Sequence, residues 1–440
     1  MIDALERFVW GAPMLALLLG AHVYWTARTG FIQRKTGLGI RLSLAQSEGE
    51  GDVSPLGALS VMLASTIGTG NIVGVGTALC LGGPGALFWC WLTGVLGIAT
   101  KYAEALIAVK YRVKTGGGRV LGGAMVVLEK RLSMPRAAKA FAVFTVLASL
   151  GVGCGVQAGA VAAVLDEGFH IAPAASGVVL CALTGLVLCG GVQSVARVCE
   201  RLVPAAAALF VACCAALLWL NRAAAGDALR AVLASAFAPS AALGGLAGHS
   251  VQAAVRAGVA GGLFSNEAGM GSAPIAAAAA RTDDPVRSAL VCATGTFWDT
   301  VVLYPLTGLA LVSAMLAHPE RFLSARDGGA LCAAAFAALP GGAAALAVCT
   351  ALLAFFTILG WSYFGECGAR YLFGPRAAGP FRALVCLTAL AATLCRLSAV
   401  WQLANVCNAL MALPNLLAMA RLRDEISADT RHFFADRAGR

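Results

Sequence analysis

The sequence predicts an all-α polytopic membrane protein of eleven spans: one extra N-terminal helix, then two five-helix blocks of opposite orientation. Three observations carry this. First, 59% of the 440 residues are hydrophobic and only 12% are charged, against about 25% charged in a soluble domain. Mean hydropathy is +0.81. Second, apolar runs near the length that crosses a bilayer as a helix, about 20 residues, recur along the whole chain. Third, two of these runs, one opening each half, are interrupted in matching places by glycines and polar side chains.

The runs lie near 8–25, 55–80, 85–109, 140–164, 174–192, 203–220, 244–280, 288–315, 345–364, 383–395 and 398–420. The first follows Asp3, Glu6 and Arg7 and has no small-residue cleavage pattern after it, so it reads as a retained span and not a signal peptide. Short polar joints separate the runs, and no soluble domain is inserted. The expected organisation is a single transmembrane domain over 1–440: the extra helix at 8–25, a first repeat at 55–220, a second at 244–420 and a tail at 421–440. Eleven spans put the termini on opposite sides. Joints on the side of the tail hold 24 Lys and Arg residues and joints on the other side hold 6. That asymmetry puts the tail in the cytoplasm and the N-terminus outside, in the cell inner membrane. It also accounts for the net charge of +10 without nucleic acid. The fifteen cysteines show no CxxC spacing and sit mostly in apolar runs, as Cys181, Cys213, Cys214 and Cys349 do. They read as small buried hydrophobes and not as a disulfide framework.

The second span carries "STIGTGNIVGVG", Ser65 to Gly76, at its centre. Glycine weakens a helix interior by roughly 0.5–1 kcal/mol relative to alanine, and polar groups facing lipid cost more. The seventh span carries "GGLFSNEAGMGSAP", Gly261 to Pro274. Small-residue helix packing of the GxxxG kind explains one such run, and Gly70 to Gly74 has that spacing. Two runs in matching places, each opening a block of five spans, favour interrupted helices in an inverted repeat, the pattern of a secondary transporter. Freed N–H groups at one half-helix end bind a carboxylate. Freed carbonyls at the other ligate a small cation. Such backbone survives at membrane depth only where it lines a cavity or is buried in protein.

Five stretches, "STIGTGNIVGVGTAL", "GGPGALFWCWLTGVLGIATKYAEA", "LFSNEAGMGSAP", "FTILGWSYFGE" and "ALPNLLAMARL", resemble the alanine or glycine:cation symporter family along nearly the whole chain and in the same order. The resemblance implies a leucine-transporter-like fold with an extra first helix, and import of alanine or glycine with sodium, sometimes with protons. It implies no cofactor beyond the coupling ion, Na+ or H+. The implied partners are a small-molecule amino acid and the lipid bilayer, with no known protein partner; the charge distribution already argues against nucleic acid. By resemblance the first broken helix matches at Thr66, Gly68, Thr69, Gly70 and Asn71, and the second at Phe264, Ser265, Asn266, Glu267 and Gly269. Gln157, Thr357 and Trp361 match further motifs. Backbone near Gly68 to Gly70 would then hold the substrate carboxylate, with Asn71 and Gln157 as polar contacts and Trp361 and Phe264 closing a small side-chain pocket. Ser265 and Asn266 join this substrate set. Thr357, with Ser65, Thr66 and Gly68, would bind sodium. The chain departs from the family pattern at Phe356, where a serine oxygen usually precedes the threonine, and at Gly159, Ala260, Gly261, Asn405, Ala124, Val126 and Val127.

Ionisable residues at membrane depth mark function by default. Lys101 and Glu104, three apart on one helix face, can pair; a structural pair and a gating pair both fit. Glu366 borders a basic joint and reads as interfacial. Glu267 lies inside the second break, where it compensates a cation, takes a proton, or accepts hydrogen bonds from frayed backbone; the residues alone leave these open. Asp299 either contacts a break or caps a local kink. Glu267, Asp299, Lys101 and Glu104 are thus the candidates for coupling or gating. Besides sodium symport, a proton-coupled or uncoupled carrier of another small zwitterion fits. A membrane enzyme would need a cluster such as HExxH or paired catalytic carboxylates near one face, and neither is present; the histidines form no ligand set and no transition-metal spacing occurs. A channel would not need two inverted broken helices.

Overall fold

The computed structural model describes residues 2–45, 48–115, 118–239, 249–395 and 398–438. Among them, eight helices are long and apolar enough to cross a bilayer: Leu5–Arg28, Gly85–Lys110, Pro135–Phe169, Gly191–Leu220, Pro285–Ala317, Gly342–Phe373, Pro375–Leu394 and Gln402–Arg421. Pro173–Cys189 is a shorter apolar helix. The two glycine-interrupted runs are each two half-helices. The first is Pro55–Thr66 and Val73–Gly82; the second is Val251–Asn266 and Ala273–Ala279. At about 1.5 Å per residue no half spans the roughly 30 Å of hydrocarbon alone. The joint predicted at 396–397, part of the joint at 221–243 and the first residues of the span predicted at 244–280 lie outside the described residues.

Helix starts follow local chemistry. The Ser54 hydroxyl accepts the Gly57 N–H with Pro55 in the first turn, and Ser250 does the same for Ala253. The Asp284 carboxylate accepts the Val286 N–H ahead of Pro285. Such caps satisfy one of the orphan donors of a first turn.

Several joints are more structured than the sequence reading of short polar connections. The segment 193–202 is not a loop but lies within Gly191–Leu220. The joint at 221–243 contains the helix Arg222–Phe237, seated so closely that a Cβ on Gly85 would lie 2.2 Å from the Ser235 carbonyl oxygen. The joint at 316–344 contains the helix Gly328–Phe336, in backbone contact with the first broken helix at Gly76. Arg222–Phe237 is rich in alanine but interrupted by charge, and Gly328–Phe336 is apolar but only 9 residues long, so neither has the apolar length that marks a span. The tail is likewise helical, Arg423–Ala438. It docks on the basic side through Glu425 to Arg131 (2.5 Å) and Lys110 (3.4 Å), Asp429 to Lys110 (2.6 Å), and an Asp424–Arg28 ion pair.

The broken helices form the centre of the molecule. Gly85–Lys110 packs against the second broken helix and against Pro285–Thr296, while Gly342–Phe373 packs against the first half of the first broken helix. Three helices contain π-helical turns: Val127–Arg131, Gly151–Gly155 and Phe297–Leu303. A π turn inserts one extra residue per turn, displaces the side chains beyond it and frees backbone carbonyls. Two of these turns lie beside the breaks.

Candidate functional site

The first break begins at Ile67. Gly68 is extended (φ −137°, ψ −150°), a single tight turn covers Thr69–Asn71, and the helix resumes at Val73. A Cβ on Gly68 would lie 2.5 Å from Thr357 Oγ1 and 3.5 Å from Gln157 Oε1, so only glycine lets the chain approach this closely. The Thr69 hydroxyl donates to Gln157 Oε1 at 3.1 Å. Gln157 follows the π turn at Gly151–Gly155 and its amide donates to the Val152 carbonyl at 3.4 Å. Gly68, Thr69, Gln157 and Thr357, drawn from three separate parts of the chain, therefore meet at one point. A Cβ added at Gly70 or at Gly74 would meet no atom within 4 Å, so this face of the break borders open space.

Asn71 leads from the first break toward the second. Its Nδ2 donates to Asp299 Oδ1 at 2.8 Å and to the Asp299 carbonyl at 3.3 Å. Asp299 Oδ2 accepts from Ser265 Oγ at 2.8 Å and from Thr300 Oγ1 at 2.7 Å. Asp299, on the π turn Phe297–Leu303, thus ties Asn71 in the first break to Ser265 in the last turn before the second. All four side chains are buried. The carboxylate is held by neutral donors, and Asn71 Oδ1 is buried without a hydrogen-bond partner. Carboxylate, hydroxyl and amide oxygens at one point are hard ligands suited to a hard cation.

The second break is built differently. Glu267 takes the left-handed conformation (φ 53°), as do Gly269 (φ 89°) and Gly271 (φ 79°), a backbone conformation that glycine adopts without strain. Every residue from Ser265 to Ala280 is buried. Its frayed N–H groups already have a carboxylate: Glu104 Oε2 accepts from Gly269 N and Gly271 N, each at 3.1 Å, and from Asn415 Nδ2 at 2.7 Å. Lys101 Nζ lies 3.2 Å from Glu104 Oε1 and donates to the Glu267 carbonyl at 3.0 Å. Asn415 also donates to the Gly269 carbonyl at 2.8 Å. The Glu267 carboxylate accepts from Ser272 Oγ at 2.5 Å. Of the roles open to Glu267 in the sequence, acceptance from frayed backbone N–H groups falls instead to Glu104, because the left-handed turn at Glu267 directs its side chain to Ser272. Lys101 and Glu104 do pair along their helix, but the pair also fills the break of another.

The remaining expected residues divide. Ser65 and Thr66 donate their hydroxyls to the Met62 carbonyl at 2.7 and 3.2 Å, so within this structure their side chains serve their own helix. Thr357 likewise donates to the Leu353 carbonyl at 3.0 Å, which leaves the lone pairs of its oxygen, close to Gly68, free to accept. Trp361 is buried, and a Cβ on Gly153 would lie 2.2 Å from Trp361 Cβ. Phe264 is 39% exposed and meets Trp10 with ring centroids 6.1 Å apart. Among the described residues the ring partner of Trp361 is Phe364 and that of Phe264 is Trp10, so the structure does not bring this aromatic pair face to face. Asn266 Oδ1 caps the break by accepting the Ala268 N–H at 2.8 Å. Phe356 is buried beside Phe355 and offers no oxygen. Glu366 is paired with Arg370 at 2.6 Å and Arg382 at 2.7 Å on the basic side.

Sequence reasoning missed Asn415, Thr300, Ser272 and Tyr304, whose hydroxyl donates to the Gly74 carbonyl at 3.4 Å. Asn415 carried a signal, an amide inside an apolar run; such a group in a span needs a partner.

Three comparisons bear on this arrangement. The Sodium:alanine symporter family profile matches residues 1–439. The Sodium/alanine symporter AgcS of Methanococcus maripaludis is 41% identical, over 98% of this chain and 96% of its own length. The Probable sodium/glutamine symporter GlnT of Bacillus subtilis is 31% identical, over 93% of this chain and 85% of its own. Among solved structures, MhsT in complex with L-phenylalanine is similar at a TM-score of 0.56 and 15% identity, covering 88% of this chain and 99% of that one. MHP1, a nucleobase-cation-symport-1 family transporter, is similar at a TM-score of 0.52 and 15% identity, covering 88% and 80%. The fold is leucine-transporter-like.

Proposed function

We propose, from the premise that this chain belongs to the sodium:alanine symporter family and is a sodium-coupled amino-acid transporter in the membrane and not an enzyme, that its substrate is alanine or glycine. The observation that carries this reading is the convergence of Gly68, Thr69, Gln157 and Thr357 beside the open face at Gly70 and Gly74. The freed backbone from Gly68 to Gly70 receives the substrate carboxylate, with Thr66, Asn71 and Gln157 as polar contacts. Ser265, Asn266, Phe264 and Trp361 complete the surroundings. Thr357 and the carbonyls of Ser65, Thr66 and Gly68 hold sodium. Asp299 couples the two breaks, since one carboxylate takes donors from each. The Lys101–Glu104 pair and Glu267 set the shape of the second break. The extra helix is 8–25, the repeats are 55–220 and 244–420, and the tail 421–440 is cytoplasmic with the N-terminus outside; the excess of basic residues on the tail side supports that orientation.

Uptake of labelled alanine and of labelled glycine into proteoliposomes, with and without an inward sodium gradient, tests the reading. Sodium-driven accumulation of either is expected. Accumulation that follows an imposed proton gradient alone moves the coupling ion to H+, and accumulation of glutamine but of neither small amino acid overturns the substrate assignment.

A further inference from the structure

On the basic side, two strips of backbone join the broken helices to each other. Residues 50–53 lead into the first broken helix and residues 279–282 leave the second. Glu50 opposes Thr282 in antiparallel fashion and Val53 opposes Ala280. The Asp52 N–H donates to the Ala279 carbonyl at 2.8 Å, Arg281 to Val53 at 2.8 Å, and Thr282 to Glu50 at 3.1 Å. One guanidinium bridges the seam. Arg112 Nη1 donates to the Ala278 and Ala280 carbonyls at 2.9 and 2.6 Å, and Nη2 donates to the Thr282 carbonyl at 2.9 Å and to the Glu50 carbonyl. Ala278 lies in the last turn of the half-helix Ala273–Ala279 and Ala280 is the residue after it, where orphan carbonyls and the negative end of the dipole favour a cation. The two-stranded hairpin that follows, Val113–Lys114 with Val120–Leu121, adds a Lys114–Glu50 ion pair at 2.6 Å and a Val120 N–H to Asp52 Oδ2 bond at 3.1 Å.

The two sides of the molecule differ in access. The basic-side half of the second broken helix is buried throughout, from Ala273 to Ala279. In the opposite halves, Thr77, Leu81, Arg256 and Phe264 are exposed. A carrier must present its site to each side in turn, so a seam that joins both broken helices on one side has to part once per cycle. We propose that Arg112 and its hairpin form a clasp that holds the basic-side gate shut, with Arg112 as the positioning residue whose release lets the two broken helices separate there. The planar guanidinium suits four carbonyls in a way that an ammonium does not. The proposal rests on transport as such and not on which amino acid is carried.

Two measurements test it. Hydrogen exchange at the amides of Asp52, Val53, Arg281 and Thr282 reads the clasp without substrate. Arg112→Gln is expected to speed exchange there about ten-fold, the ratio that corresponds to the net worth of one charge-assisted hydrogen bond, with Arg112→Lys between the two. Unchanged exchange in Arg112→Gln overturns the clasp. The second measurement covers the case in which that variant misfolds. Glu50→Cys with Thr282→Cys places thiols at an antiparallel pair whose spacing suits a disulfide. Oxidation is expected to form that bond, mapped by mass spectrometry, to stop uptake of whichever labelled amino acid (alanine, glycine or glutamine) the reduced protein accumulates while the detergent-solubilised protein still binds it, and to be reversed by dithiothreitol. A crosslinked protein that turns over as fast as the reduced one overturns the proposal, as does failure of the bond to form.

Discussion

The two breaks occupy matching places in the two repeats, yet they are not equivalent. At the first, Gly68 to Ile72, the surrounding groups are hydroxyls and amides, Asn71 links the break to the Asp299 carboxylate, and Gly70 and Gly74 border open space. At the second, Glu267 to Ser272, a carboxylate from a neighbouring helix already sits on the frayed N–H groups, with a lysine on the frayed carbonyl and an asparagine on both. Glu104 supplies an anion to the second break from inside the protein, whereas the first break keeps an open face at Gly70 and Gly74. A pair of similar interruptions has thus diverged into one that is filled and one that stays open. The support is stiff because every member is buried and multiply bonded.

The largest expected effect breaks the supporting side. Glu104→Ala leaves the Gly269 and Gly271 N–H groups without their acceptor and the buried Lys101 ammonium without its counter-charge, a loss of about 3–5 kcal/mol by analogy with other buried pairs. A thermal melt in detergent should fall accordingly, and Lys101→Met added to it should not restore stability, since the N–H groups stay bare. A double variant as stable as the parent would make the second break as open as the first. Next in size, Gly68→Ala drives a methyl into Thr357 Oγ1, an overpacking cost of about 1–3 kcal/mol that falls on the binding geometry. Labelled alanine binding should drop by about ten-fold or more while the melt moves little; equal losses of both would merge the two roles.

Asn71→Ala sharpens the link between the breaks. It removes one of three side-chain donors from the Asp299 carboxylate, worth about 1–3 kcal/mol. Its expected signature is weaker substrate binding and a changed sodium requirement with folded yield retained; failure to insert would return the run to a packing role. The smallest effect lies at the basic-side seam. Lys114, first by its hydrogen bond and then by its charge, holds the Glu50 carboxyl below its ordinary value of 4.5. A carboxylate lowered in the folded state stabilises above its unfolded value and loses that contribution as pH falls through the folded one. Glu50 is exposed, so salt screens the pair as well. Protection of the Thr282 amide, taken relative to its intrinsic exchange rate at each pH, should therefore fall slightly in acid and in high salt, and Glu50→Gln should remove both responses.

Much of this was legible in the residues. The apolar runs located the helices, though the runs at 203–220 and 345–364 fell well short of Gly191–Leu220 and Gly342–Phe373, and the glycine clusters with their amide and hydroxyl neighbours located both breaks. Gln157 and Thr357 were found through resemblance, and both proved to sit at Gly68. Other features were hidden for definite reasons. The helix Arg222–Phe237 lacks the apolarity of a span and Gly328–Phe336 lacks its length. The π turns that carry Asp299 and precede Gln157 leave no mark on hydrophobic periodicity, because one extra residue in a turn shifts the pattern by less than a run of alanines and valines can show. Phe264 and Trp361 were expected together, and their ring contacts lie apart.

By itself the sequence determined that this chain lives in a membrane, that its halves are inverted, and where each half must leave the helical path, because hydropathy and glycine content act locally along the chain. Only the tertiary structure decided what fills each gap. Frayed N–H groups at membrane depth must find a partner, and that Glu104 supplies it at the second break depends on which helix crosses behind that break, a distance in space of which the order of residues carries no record.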